Sequence, residues 1–144
     1  MSRDCGVNIR NVPQLRTSEA GRLLGVSDDT VRRWVESGRL PASRDEVGRV
    51  VIEGRDLARF AQATATAPEL GHATPESARN RFTGLVTRVV KDGVMAQVEM
   101  QAGPFRVVSL MSREAADDLA LEPGVVAVAS VKSTQVVVEL VRPR

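Results

Sequence analysis

The spacing of apolar residues changes once along this 144-residue chain, and that change limits the folds open to it. Up to about residue 64 apolar side chains recur every three or four positions, as on one face of a helix. From Phe82 onward they alternate, as along strands half-buried in a sheet. A helical first part and a strand-rich second part predict an α+β chain. The stretch from Thr64 to Glu76 is rich in Ala, Thr, Pro and Gly and has no amphipathic period, so it reads as a linker stiffened by Pro68 and Pro75. The expected divisions are residues 13–63, a linker at 64–75, and residues 76–142. A lone core below about 80 residues supplies only about 3–5 kcal/mol of net stability. Both parts are therefore expected to lean on oligomerisation or on each other.

Charge and cysteine usage narrow the function classes. Net charge is only +2, so a nucleic-acid face has to come from local placement of arginines. The basic residues are 18 Arg and 2 Lys, which makes Lys91 and Lys132 stand out. Cys5 is the single cysteine and His72 the single histidine, which leaves no intrachain disulfide and no Cys-based metal site. No apolar run approaches the roughly 20 residues that span a bilayer, and no signal-peptide pattern precedes the first helix. A soluble, cytoplasmic chain with no membrane partner is the expectation. Paired carboxylates, a nucleophile–base set and a phosphate-binding Gly loop are not visible, so no enzyme is expected.

In the first part, Thr17 stands before Ser18-Glu19-Ala20 as an expected N-cap, and Gly25 is positioned to stop the helix in a left-handed conformation. Ser27 is expected to cap a second helix, with Asp28 and Asp29 in the first turn favoured by the macrodipole. Val31, Trp34 and Val35 are expected to point inward, and Gly38 to end the helix. Two helices with a short turn between them are a helix-turn-helix, whose second helix enters the major groove. Leu40–Ser43 and Arg49–Ile52 flank the turn Asp45–Gly48 and predict a small wing. A third helix is expected from about Glu53 to Ala63, with Leu57 and Phe60 on its core side.

The run from Thr17 to Ser27, and that from Thr30 to Ala42, resemble MerR-type or excisionase-type winged DNA-binding domains. The resemblance covers about residues 13–63. It implies that Arg32 and Arg33 face base edges or phosphates and that Arg49 in the wing touches backbone, with Thr30 beside them on the helix and Arg44 a weaker candidate.

The second part predicts strands at Phe82–Val90, Val94–Met100 and Phe105–Met111. A short helix at Arg113–Leu119, capped by Ser112, comes next. A fourth strand through Val131 and a fifth at Val136–Val141 complete a five-stranded OB-like barrel. Val94, Ala96, Val98 and Met100 are expected to share one face. Closing the barrel removes the exposed edges that valine-rich strands otherwise offer to aggregation. Ser77-Ala78-Arg79-Asn80 opens this part and Val131-Lys132-Ser133-Thr134 precedes its last segment. Hydroxyls, a guanidinium and an ammonium without His or Cys suit a small oxyanion and not a metal cation. The amide of Asn80 is expected to tie down backbone.

These motifs, with Gly84 two residues after Phe82, Gly93-Val94-Met95-Ala96, and Leu119-Ala120-Leu121 with Gly124, resemble the TOBE domain of molbindins and molybdate-responsive regulators. The resemblance spans about residues 76–141. It implies molybdate or tungstate held between subunits of a homo-oligomer, a dimer or higher, with Ser77, Arg79, Lys132 and Ser133 as ligands. The two resemblances together imply a molybdate- or tungstate-responsive transcription regulator with DNA as partner. The alternative is a molybdate-binding or storage protein whose helix-turn-helix is not an anion-gated regulator.

Overall fold

The computed structural model describes residues 12–66 and 77–141. The chain divides into two units, residues 1–66 and 67–144. Cys5, His72, Pro68 and Pro75 lie outside the described residues, as does most of the expected linker.

The first unit runs β1 (Gln14–Arg16), α1 (Thr17–Leu24), α2 (Asp28–Glu36), β2 (Ser43–Arg44), β3 (Val50–Glu53) and α3 (Gly54–Thr64). Its three strands form an antiparallel sheet in the order β1-β3-β2. The strand β1 was not expected from the sequence. It has one apolar residue, Leu15, too few to show alternation, and it is specified by pairing with β3 from Gln14↔Glu53 to Arg16↔Val51.

The helix-turn-helix follows the expected plan with one correction. The N-cap of α1 is Arg16, not Thr17, which is the first helical residue and is buried. Glu19 reaches back to accept the Arg16 backbone N–H at 2.8 Å, so a carboxylate satisfies this end. Gly25 ends α1 at φ 69°, a conformation that favours glycine. Ser27 caps α2, its hydroxyl accepting the Thr30 N–H at 3.2 Å. Within α1, Gly21 lets the chain turn tightly, because a Cβ there would sit 2.8 Å from the Val26 carbonyl oxygen.

Ala20, Val31, Leu40, Ile52, Leu57 and Phe60 make the core of this unit. Leu15, Leu24, Val26, Trp34 and Val35 pack against it. The Trp34 and Phe60 rings lie 4.7 Å apart between centroids, tilted by 49°. Trp34 and Val35 are thus partly buried, and Val31 wholly so.

The second unit runs β4 (Asn80–Lys91), β5 (Met95–Ala102), β6 (Phe105–Ser112), α4 (Arg113–Asp118) and β7 (Val126–Val131). Its antiparallel sheet has the order β6-β5-β4-β7. One face is apolar: Val86, Val98 and Met100 form its centre, with Val89, Val107, Met111, Leu121, Val125, Ala127 and Ala129 around them. Gly84 allows β4 and β5 to approach closely, since a Cβ there would collide with the Gln101 carbonyl oxygen. Ser112 caps α4 by accepting the Ala115 N–H at 3.1 Å, as expected.

Two expectations for this unit are corrected. Val94 does not continue the buried row of Ala96, Val98 and Met100. It is 73% exposed in the β4–β5 turn, where Asp92 Oδ1 accepts the N–H groups of Val94 and Met95. The sheet also has four strands and not five. A 3-10 turn at Ser133–Gln135 follows β7. The expected fifth strand, Val136–Val141, has no ladder partner among the described residues, and Val137, Val138, Leu140 and Val141 are each at least 82% exposed. A run of β-branched valines reports that a segment favours the extended state; it carries no information on which sheet edge receives it. The α+β class and the OB-like sheet with its helix after the third strand stand.

Candidate nucleic-acid interface and anion site

A groove of about 490 Å³ runs along the first unit. Its walls are the start of α1 (Arg16, Thr17, Ser18), one face of α2 (Asp28, Arg32, Val35, Glu36) and the wing (Arg44, Gly48, Arg49, Val50). Four arginines therefore converge from three elements, although the chain as a whole is nearly neutral. Of the expected DNA-contacting residues, Arg32 and Arg49 line this groove. Arg33 is exposed on α2 but is not among the lining residues, and the Thr30 hydroxyl lies 2.8 Å from Ser27 Oγ in the α2 cap. Arg16 was missed by sequence reasoning, because it became groove-facing only when β1 placed it at the start of α1.

Three of the groove arginines, Arg32, Arg44 and Arg49, have partners within the unit. Arg44 Nη1 donates to the Gly48 carbonyl at 2.7 Å across the wing turn. Arg49 Nε donates to Asp45 Oδ2 at 2.9 Å, while Asp45 Oδ1 accepts the N–H groups of Val47 and Arg49 at 3.0 and 2.8 Å. The Arg49 backbone N–H, followed by its guanidinium and the Val47 N–H, holds the Asp45 carboxyl below the usual carboxylate range. On α2, Arg32 Nη2 lies 2.9 Å from Asp28 Oδ2. The Thr17 hydroxyl and then Arg32 lower the pKa of Asp28 against a partial desolvation.

In the second unit, β4 and β7 bring the two expected donor segments to one end of the sheet. The ladder ends at Asn80↔Val131, and Asn80 Nδ2 donates to the Val131 carbonyl at 3.2 Å. Arg79 and Lys132 are the next residues beyond that pair, Ser77 precedes Arg79 by two positions, and Ser133 opens the 3-10 turn. All four are exposed. Lys91, singled out by composition, serves elsewhere: its Nζ lies 2.5 Å from Asp117 Oδ1 and ties α4 to β4. Among the described residues, no group of three or more His, Cys, Asp or Glu is placed to hold a metal ion.

Family models match both units: a helix-turn-helix domain over residues 15–65 and a TOBE domain over residues 76–138. The chain joins a helix-turn-helix domain to a TOBE domain. The helix-turn-helix part resembles the chromosome-anchoring protein RacA of Bacillus licheniformis, at 46% identity over 44 residues. That match covers 31% of this chain and 24% of RacA. The TOBE part resembles a molybdate binding protein from Sporomusa ovata (31% identity, TM-score 0.45) and MopII from Clostridium pasteurianum (33% identity, TM-score 0.43). Each of these matches covers 46% of this chain and the whole of the other. The groove belongs to the helix-turn-helix domain, between its second helix and its wing, and the Arg79–Lys132 end belongs to the TOBE domain. No helix among the described residues is long and apolar enough to cross a membrane.

Proposed function

We propose that this chain is a molybdate- or tungstate-responsive DNA-binding transcription regulator. The observation that carries the reading is the Asn80–Val131 contact, which joins segments 51 positions apart and leaves Arg79 and Lys132 flanking one sheet end. A tetrahedral dianion needs converging donors, and charge-assisted bonds from Arg and Lys are the strong ones. Ser77 and Ser133 add hydroxyls, so all four side chains can donate. The exposure of this set and of the valines after it fits a homo-oligomer in which a second copy helps to enclose the anion.

DNA binding is supported by the groove of Arg16, Arg32, Arg44 and Arg49 between the recognition helix and the wing. The recognition helix enters the major groove, and the wing arginines meet phosphates. Regulation requires the anion to bind one arrangement of the DNA-binding domains more tightly than another, because equal affinity shifts no equilibrium.

The test is calorimetric titration of the full chain with molybdate, tungstate and sulfate, for wild type and for Arg79→Ala and Lys132→Ala. Molybdate or tungstate binding that is lost in both variants supports the anion site. Duplex DNA affinity is then measured across a molybdate titration. An unchanged affinity rejects the regulator and leaves a molybdate-binding protein.

A further inference from the structure

The DNA-facing groove is not uniformly basic. Asp28 and Glu36 line it together with the four arginines. A carboxylate on a surface that meets phosphates weakens every non-specific contact, so its presence needs a cause. Helix capping does not supply one. Ser27 already accepts the Thr30 N–H, and exposed Asp29 places the same charge in the first turn without entering the groove.

Asp28 has two partners in the groove wall, the Thr17 hydroxyl at the start of α1 and, one turn along α2, Arg32, with Oδ2 to Nη2 at 2.9 Å. Only the second bears on a DNA-contacting side chain. The aspartate side chain is 36% exposed and the arginine side chain 60%, so the acid is the more enclosed partner. The pair lies in the first half of the recognition helix, the part that contacts base edges when such a helix enters the major groove. An unpaired arginine is free to turn to the nearest phosphate, whereas a carboxylate one turn away biases it, weakly as is typical of such a pair, toward the geometry that the carboxylate accepts. One bond donated to Asp28 leaves enough N–H groups on Arg32 for the two-bond contact with guanine O6 and N7. The wing arginines Arg44 and Arg49 are fixed too, but by their own hairpin and at backbone-contacting positions.

We propose that Asp28 is a positioning residue for sequence recognition: it presents Arg32 to a guanine edge, lowering overall DNA affinity and raising discrimination. This rests on the DNA-binding reading above.

The test uses the full chain and a pool of randomised duplex DNA, selected with wild type, Asp28→Asn, Asp28→Ala and Arg32→Lys. Affinities for the enriched duplex, its single-base variants and an unrelated duplex are then measured over a range of salt. Wild type is expected to require guanine at one position, with discrimination of about tenfold to a hundredfold. Asp28→Asn is expected to lose most of that preference at that position alone. It should also bind the unrelated duplex more tightly, with a salt slope steeper by about one as Arg32 takes a phosphate. Arg32→Lys should lose the same preference while keeping the charge. Thermal melting of each variant checks that it is folded. Guanine preference retained in Asp28→Asn overturns the proposal. So does a loss spread evenly over all positions together with a lowered melting temperature, which would mark Asp28 as a helix-stabilising residue only. Failure of wild type to enrich any sequence overturns the DNA-reading function itself, and this inference with it.

Discussion

The side-chain amide of Asn80 donates to the carbonyl of Val131 at 3.2 Å and fixes the last rung of the β4–β7 ladder, with Arg79 and Lys132 immediately beyond it. In the proposed anion site Asn80 thereby sets the spacing of the two charged side chains without having to touch the anion. Asn80→Ala is expected to weaken molybdate binding about tenfold, the scale of one lost positioning hydrogen bond of about 1 kcal/mol or slightly more. Calorimetric titration of this variant beside Arg79→Ala checks it; an unchanged affinity assigns Asn80 to stability alone.

Gly84→Ala is expected to destabilise the TOBE domain by about 1–3 kcal/mol, because the added methyl meets the backbone of Gln101 and not a side chain that can turn aside. Chemical denaturation of the full chain reads this directly. Gly103→Ala is the control for space: nothing lies within 4 Å of its Cβ position, so its cost comes from its φ of 56° alone.

Ile52→Ala empties a fully buried position at the centre of the helix-turn-helix core and is expected to cost about 2–5 kcal/mol. The same variant should lose DNA binding on warming before it loses molybdate binding. Simultaneous loss of both would show that the two units unfold as one.

Glu99 on β5 is enclosed by Arg106 on β6, at 2.8 Å, and Arg88 on β4, at 3.6 Å. The Arg106 guanidinium, by hydrogen bond and by charge, holds its carboxyl below the ordinary value of 4.5. A depressed carboxyl contributes stability that is present above the unfolded pKa and is lost as pH falls through the folded one. Denaturation midpoints between roughly pH 5 and pH 2 should therefore fall more steeply for wild type than for Glu99→Gln. Parallel curves would exclude Glu99 as a source of acid lability.

Arg49→Ala is expected to weaken binding to all duplexes about equally and to reduce the salt slope by about one, as for a phosphate contact. Asp45→Ala should reproduce part of that loss, since it removes both the partner of Arg49 and the acceptor that shapes the wing turn. Affinity measured against salt concentration for both variants decides the point.

Helices, caps and strands were legible because their signals are local. Ser27, Gly25 and Ser112 act on backbone groups within four residues, and Ala96, Val98 and Met100 alternate within one strand. Val94 and the valines at 136–141 misled for the same reason, since alternation at Val94 and a β-branched run at 136–141 persist where the chain has left the sheet. Arg16 and Asp28 could not be recognised as groove residues, because their role depends on a strand and a wing distant in sequence.

The sequence by itself determined the change from helical to strand periodicity, the two-domain order and the chemical character of the donor set, because each follows from residue type and short-range spacing. Only the tertiary structure decided which segments end together. The Asn80–Val131 register placed Arg79 and Lys132 at the same end of the sheet, the hairpin turned Arg44 and Arg49 toward α2, and Asp28 came to pair with Arg32 inside the groove. Strand register and helix–wing packing are set by the burial of whole apolar faces, and no single residue encodes them.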